Sequence, residues 1–429
     1  MNTSLLYHAF GVREQECLGI DYEDNSIIIK IQTRSDKLRC PCCGSRHFIR
    51  RGVCVRTFHC VPIGSKQVKL SMRVQRIHCK DCHNTRQENI HFVTGKRAYT
   101  NKLARLVVTL SRIGTIKDIA NFLHLSWDTV KDIQKRYLLQ HYGNPDISKV
   151  KRIGIDEFAV AKGHIYKTIV VDLDTGQVIH IGDGKGGEAL APFWKKVKKK
   201  KVKIEAVATD LSSAFISSVM SNAPEAALIF DHFHVVKLLN DTIDEIRRDT
   251  YKMETDLNKR KVLKGTRWLL LCNEKDIFDN KYRTRLDNAL AMNKDLFIAY
   301  YLKEDLKEIW DQLDKEQAGR VLDLWIQQAK DSKQKLLIKF ANTLAAHRTG
   351  ILAWYDHCIS TGKVEGINNK IKTMKRQAYG YRDSRFFELK ILAMHEDKYA
   401  FVGRTIKLPI YFLNVTMRKN AHSYEYFFS

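Results

Sequence analysis

The period of apolar and polar positions changes several times along the chain. A nearly unbroken isoleucine run at 26–32 predicts a strand of a small sheet, and Val68, Leu70 and Met72 alternate with polar residues as a strand with one covered face does. From Thr100 the period becomes helical, with Leu103, Leu106, Val107 and Leu110 on one face behind a Thr100 cap. Thr115 followed three residues later by Asp118 is a capping-box pattern and opens a helix through Leu123. Ser126 caps another helix running to about Leu139, with His124 and Leu125 as the turn between them.

Beyond residue 150 the pattern predicts strands at 152–158, 166–173 and 177–181, a helix at 188–200, a strand at 203–209, a helix at 212–220 and a strand at 226–230. Three successive strands, then helix, strand, helix, strand, is the element order of a ribonuclease H-like sheet. Residues 232–355 read as almost wholly helical, and a strongly basic helix follows at 363–375. Six prolines provide no Pro-rich linker, so boundaries come from changes of pattern. They give an N-terminal segment (1–35), a cysteine-rich basic segment (36–95), a helical module (96–145), a sheet domain (150–231 and 356–400) split by a helical insertion (232–355), and a tail (401–429). The fold class is thus multidomain α/β.

At 429 residues and 44% hydrophobic the chain is long enough for more than one core and too apolar for disorder. A net charge of +25 calls for a polyanionic partner. Much of it is concentrated: residues 30–112 hold 19 Lys and Arg against Asp36, Asp81 and Glu88. No stretch approaches the roughly 18 to 20 apolar residues of a spanning helix, and the first residues lack the basic-then-apolar order of a signal peptide. A cytoplasmic protein acting on nucleic acid, with no membrane partner, is expected.

Seven of ten cysteines fall between residues 40 and 82. In a cytosolic chain such clustering favours metal over disulfides. Cys40-Pro-Cys42-Cys43 and Cys79-Lys-Asp-Cys82 hold two C-x2-C pairs, and each turn points two thiolates at one ion. Cys40, Cys43, Cys79 and Cys82 are therefore the expected ligands of a structural Zn²⁺, with an extended hairpin filling the long gap between the pairs. Cys42, Cys54, Cys60, His59, His78 and His83 compete for that role. Four protein ligands leave no place for a substrate water.

The helical pair at 115–139 has the pattern of a helix-turn-helix. Its inward face is Ile116, Ile119, Ala120, Leu123, Val130 and Ile133, which leaves Trp127, Asp128, Thr129, Lys131, Gln134 and Lys135 facing outward toward a DNA groove. Two acids stand at strand positions that are costly unless something pairs them. Asp156 shares a face with Gly154 opposite Ile153 and Ile155, and Asp210 emerges at the end of the 203–209 strand, where Ile204, Ala206 and Ala208 are expected inward. Neighbouring strands presenting both would bind hard divalent cations, Mg²⁺ or Mn²⁺, and two such ions serve phosphodiester displacement. A third acid, Glu365, begins the basic helix, with Asn369, Lys372 and Arg376 following on its stripe to track phosphates. Asp231, His232 and His234 follow the 226–230 strand and are candidates to support the metal ligands from behind.

These residues carry a family resemblance. The chain resembles bacterial insertion-sequence transposases of the ISL3 type in CPCCG, CKDC, IGIDEFA, ATDLSSAF, IFDHFHVVKLLNDTIDEIRR and VEGINNKIKTMKRQAYGYR. The resemblance covers nearly the whole chain. It implies a DDE triad of Asp156, Asp210 and Glu365 in a ribonuclease H-like fold, with the helical stretch inserted before the glutamate. Two mild departures are Phe215, where Tyr is expected, and the loop after Cys82, which lacks an expected aromatic. The implied activity is binding of terminal inverted repeats, then metal-dependent cleavage and strand transfer into target DNA, by a homodimer or higher oligomer on paired ends within the bacterial nucleoid. A zinc-containing DNA-binding regulator with an inactive sheet domain is the alternative. A nuclease of the same fold shares the metal chemistry but needs no sequence-reading module.

Overall fold

The computed structural model describes residues 5–395 apart from 24, 162, 164, 274 and 275; the tail expected at 401–429 lies outside the described residues. The chain divides into two compact units, one formed by Met1–Asn144 with the residues from Arg385 on, the other by Pro145–Ser384.

In the first unit, β1 (Gln15–Glu23), β2 (Ser26–Thr33), β3 (Phe48–His59) and β4 (Gln67–Cys79) form a sheet in the order β1-β2-β4-β3, with the short β5 (Thr85–Gln87) also on β4. β2 runs parallel to β4, and β3 pairs antiparallel with it as the hairpin that spans the gap between the cysteine pairs. Ile29, Ile31, Phe58, Val68, Leu70 and Met72 meet Phe10 and Phe92 in one core. The sheet therefore joins chain on both sides of residue 35. β1 is a strand that the sequence reading did not single out: Leu18, Ile20 and Tyr22 alternate with Gly19, Asp21 and Glu23, but as an edge strand it is half-exposed or exposed throughout.

The helices α1 (Asn101–Leu110), α2 (Ile116–Leu123) and α3 (Trp127–Tyr142) follow. Each starts where its cap dictates. Thr100 accepts from Leu103 N–H, Thr115 and Asp118 form a complete capping box, and Ser126 accepts from Thr129 N–H. His124 takes a left-handed conformation at φ 51° to end α2 and make the turn. Leu103, Val107, Ile119, Ala120, Leu123, Val130 and Ile133 close a single core.

The second unit is built on β6 (Arg152–Ala161), β7 (Ile165–Asp172), β8 (Val178–Asp183), β9 (Ala206–Thr209) and β10 (Ala227–Phe230), in the order β10-β9-β6-β7-β8. β7 pairs antiparallel with both β6 and β8, whereas β9 runs parallel to β6 and β10 parallel to β9. Between strands lie α4 (Ala191–Lys200) and α5 (Ser213–Asn222). Ile153, Ile155, Val170, Phe193, Trp194, Val207 and Phe215 form the core on one side of the sheet. β9 is shorter than the expected 203–209 strand, and its four residues are all fully buried, as in a central parallel strand covered on both faces. Alternation was thus the wrong template for it; Val207, rather than its alanine neighbours, joins the core under α4 and α5.

From the end of β10 the chain is helical. It passes through α6 (His232–Met253), α7 (Leu257–Leu263), α8 (Arg267–Leu271), α9 (Asn280–Met292), α10 (Lys294–Leu306), α11 (Lys315–Asp331), α12 (Lys335–Ala346), α13 (Arg348–Leu352) and α14 (Trp354–His357). Leu239, Ile243, Tyr300, Leu322, Trp325 and Phe340 are among the residues of their common core. The chain returns to the sheet as α15 (Gly362–Gln377); α16 (Ser384–Ala393) falls, from Arg385 on, in the first unit. Among the described residues no helix is long and apolar enough to cross a membrane.

Candidate active site and metal centre

The two cysteine turns converge. Cys40 Sγ lies 3.6 Å from Cys82 Sγ and Cys43 Sγ 3.5 Å from Cys79 Sγ, and all four sulfurs lie within 4.8 Å of one another. Four sulfurs at about 2.3 Å around a tetrahedral Zn²⁺ are about 3.8 Å apart, so the cluster has the size of a zinc site. Both turns close on their own backbone, with Cys40 N–H donating to Ser45 O and Cys79 N–H to Asn84 O. The residue after each pair, Gly44 in one and His83 in the other, has positive φ. Backbone N–H groups of Cys43 and Cys42 hold the Cys40 thiol below its usual value, and that of Asn84 does so for Cys82, whereas Cys43, with the Ser45 N–H opposing, is pushed up to about 12 by the Cys79 sulfur and burial. The competing residues stay outside the cluster: Cys54 accepts from Gln87 Nε2, Cys60 is buried near Phe58 O, and His78 pairs with Thr85. Cys42, His59 and His83 are not part of it either.

On α3, Trp127 is exposed and Lys131 Nζ lies 5.4 Å from its ring centre. Thr129 shares the Ser126 cap, while Lys131 and Lys135 are half-buried. Gln134 departs from the outward position expected of it. It is 1% exposed and donates from Nε2 to Ser111 Oγ at 2.7 Å, so it ties α3 to the end of α1 from inside. A polar residue one position from Ile133 falls within the buried arc of the helix, and Ser111 supplies the partner that makes burial tolerable.

At the sheet, parallel pairing of Arg152 with Ala206, Ile153 with Val207 and Gly154 with Ala208 sets the register of β6 and β9. Two residues further along each strand stand Asp156 and Asp210. Asp156 Oδ1 accepts from Glu157 N–H at 2.7 Å, and Asp210 Oδ1 from Ser212 N–H at 3.1 Å. Burial pushes the Asp156 carboxyl above its usual range, Asp210 adds to this, and the Glu157 N–H, His234 and Lys237 oppose it. Glu157, not singled out in the sequence, is pushed up by burial and then by the charges of Asp210 and Asp156, with Lys185 and Lys237 opposing.

Glu365 lies on α15, whose first turn docks beside Asp156. A Cβ on Gly154 would come within 2.5 Å of Val364 Cγ2, so only glycine admits the helix at this distance. Lys363 Nζ donates to Leu173 O at 2.5 Å, and Asn368 Nδ2 to Asp156 Oδ2 at 2.7 Å. Glu365 itself is exposed, as are Asn369, Lys372 and Arg376. Among the described residues the cysteines are the one set of three or more His, Cys, Asp or Glu ligand atoms gathered within 4.8 Å; Asp156, Asp210 and Glu365 do not form so tight a group.

Asp231 is 3% exposed and caps α6 through Phe233 N–H. Its Oδ2 also accepts from the N–H of Thr361 at 2.8 Å and from the Thr361 hydroxyl, which fixes the start of α15 one turn before Glu365. His232 Nδ1 stands 3.3 Å from Asp231, with its ring against Trp310; His234 is the one whose charge reaches Asp156. Asn368 and Glu157 were missed in the sequence. The only available signal was adjacency to Glu365 and Asp156.

A basic chain with a helix-turn-helix, a four-cysteine cluster that could hold a metal ion and acids just beyond adjoining strand pairs has the parts of a DNA-processing protein. Residues 153–391 match the profile of a transposase family and residues 88–138 that of the helix-turn-helix domain of transposase family ISL3. The chain belongs to the ISL3 transposase family. It is 34% identical to the transposase for insertion sequence element IS1001 of Bordetella parapertussis over 86% of this chain and 91% of that one. It is 25% identical to the transposase for IS1557 of Mycobacterium tuberculosis over 89% of this chain and 93% of that one. Among solved structures, the Drosophila P element transposase strand transfer complex has a chain similar at TM-score 0.38 and 10% identity, covering 73% of this chain and 94% of that one.

Proposed function

We propose that this transposase binds the terminal inverted repeats of its insertion sequence through the N-terminal unit, then cleaves and transfers DNA strands with Asp156, Asp210 and Glu365 as the catalytic acids. The observation that carries the reading is the β6–β9 register, whose last pair is Gly154 with Ala208, with Asp156 and Asp210 each two residues beyond it. The sheet order, three antiparallel strands with the first at the centre and two parallel strands beside it, supports a ribonuclease H-like domain interrupted by a helical insertion.

The donor set is all carboxylate oxygen, which suits Mg²⁺ or Mn²⁺. Two such ions, when bound, activate the attacking oxygen and stabilise the leaving one in phosphodiester displacement. Asp156 and Asp210 hold the charge that recruits them, and α15 brings Glu365 alongside. Asn369, Lys372 and Arg376 on the exposed side of α15 follow the DNA backbone. In the N-terminal unit, Zn²⁺ on Cys40, Cys43, Cys79 and Cys82 stiffens the hairpin base, and Trp127, Thr129, Lys131 and Lys135 meet DNA from α3. The protein acts as a dimer or higher oligomer on paired ends, on nucleoid DNA in the cytoplasm.

Glu365→Gln keeps size and hydrogen bonding but removes a charge. Binding to an end duplex should persist while nicking and strand transfer fall by several orders of magnitude. Asp156→Asn and Asp210→Asn should behave alike and without additivity, whereas Glu388→Gln, at a residue paired with Arg385, should remain active. Parent-like cleavage by Glu365→Gln would remove it from the triad and turn attention to Glu157. The regulator alternative predicts end binding with no cleavage by the parent protein.

A further inference from the structure

We propose that Asn368 is the positioning residue of this site: its amide nitrogen orients the Asp156 carboxylate, and its carbonyl oxygen is kept for a hydrogen-bond donor that arrives with the divalent ion. The proposal rests on Asp156 being a metal ligand. The buried residues of α15 are Val364, Ile367, Asn368 and Ile371, three aliphatics and one amide. Asn is a weak helix former, and leucine, branched at the same carbon though larger, would complete the apolar face. The amide instead spends its nitrogen on Asp156 Oδ2 at 2.7 Å. With Oδ1 held by Glu157 N–H, the carboxylate is fixed at both oxygens while each keeps a lone pair free.

The second observation is the other half of the same side chain. Asn368 is 6% exposed, and its Oδ1 is shielded from solvent with no hydrogen-bond partner. An acceptor left so is costly, and beside a ligand carboxylate it fits a site that is completed by something bound. Water in the coordination shell of a divalent cation is a strong donor of the right kind. Asn368 also sits three residues after Glu365, on the same side of the helix, so one amide sets Asp156 against the element that carries the third acid. Asn369, its neighbour, is exposed and takes no part.

The test uses the zinc-loaded full chain and Mn²⁺ as probe, read by the electron paramagnetic resonance signal of free Mn²⁺, with melting temperature and end-duplex binding alongside. Asn368→Leu and Asn368→Ala should bind Mn²⁺ about 10–100-fold more weakly and bind the end duplex as the parent does. With zinc bound and no Mn²⁺ added, Asn368→Leu should melt close to the parent, since it removes a half-satisfied buried amide along with its bond to Asp156. Raising Mn²⁺ should restore part of its cleavage. Mn²⁺ affinity equal to the parent's in Asn368→Leu, or a loss in both variants that only tracks the unfolded fraction, would overturn the proposal. Asp156→Asn separates the two levels: if it abolishes Mn²⁺ binding while Asn368→Leu is parent-like, only the Asn368 role fails. If Asp156→Asn binds and cleaves normally, the assignment of Asp156 falls as well.

Discussion

Gly154→Ala tests whether the fit between α15 and β6 sets the catalytic geometry. The new Cβ would stand 2.5 Å from Val364 Cγ2 and 2.9 Å from Leu173 Cδ2, against about 3.5–4.0 Å for ordinary carbon contacts. Leu173 can rotate away, but Val364 is fully buried and β-branched, with essentially one rotamer in a helix. The helix must therefore withdraw by about 1 Å. Overpacking of this size costs about 1–3 kcal/mol. For a unit of this size, 2 kcal/mol lowers the melting temperature by roughly 4–8 °C. The same displacement stretches the 2.7 Å bond between Asn368 and Asp156 past hydrogen-bonding range and carries Glu365 away. A misplacement of about 1 Å can reduce the rate about 100-fold. Cleavage of a labelled end duplex in Mg²⁺, measured with melting curves and duplex affinity, should show the first two falling and the third unchanged. Val364→Ala in the same chain removes the obstructing carbon, so the double variant should recover cleavage, with a favourable coupling of about 1–2 kcal/mol between the substitutions. If Gly154→Ala melted and cleaved like the parent, or if Val364→Ala gave no recovery, the helix contact would not control the site.

Cys79→Ser should lower bound zinc below one per chain and unfold the N-terminal sheet while the second unit still melts normally; Cys54→Ser should leave zinc stoichiometry unchanged. Gln134→Ala strands Ser111 inside the helical core and should destabilise it by about 1 kcal/mol without altering preference among folded-state DNA sites, while Lys135→Ala should weaken binding to every duplex and reduce the salt slope by about one. In protein carrying zinc but no added Mg²⁺ or Mn²⁺, Asp156→Asn should melt higher than the parent at pH 7.5. The Asp156 pKa is raised on folding, so its ionisation disfavours the native state above the unfolded pKa. The advantage should therefore vanish as pH falls below the ordinary Asp range, and a gap that widened on acidification would reverse the sign of the argument.

Much of the local geometry around the candidate site was legible in the chain because the signals were local. Thr100, Thr115 and Ser126 each cap the helix they open, and the two C-x2-C turns have a geometry set within five residues. Ile153 and Ile155 against Gly154 and Asp156 needed only the two-residue period of a strand, and that division of faces is the observed one. What stayed hidden depends on partners far away in sequence. Nothing near Gln134 announces Ser111, and burial of an amide is decided by that partner rather than by its own polarity. On α15 the helical stripe from Glu365 was drawn through Asn369, whereas the inward amide is Asn368; one residue is a turn of about 100°. Asp231 reads as one more acid near a metal until Thr361 is found beside it.

That last contact has a consequence for how the molecule can change. One carboxylate holds both the first residues of α6 and, 130 positions later, the residue that precedes α15. The long helical excursion thus leaves and re-enters the sheet through a single clasp, and its own length does not enter the spacing of the acids. Ring-closure entropy grows only as the logarithm of the chain enclosed. Helices α7 to α12, before α13 packs its Gly350 against Phe230 and Leu228 of β10, can therefore be lengthened, trimmed or exchanged, altering what the excursion reaches, while Asp231 and Thr361 keep the two mouths of the detour together.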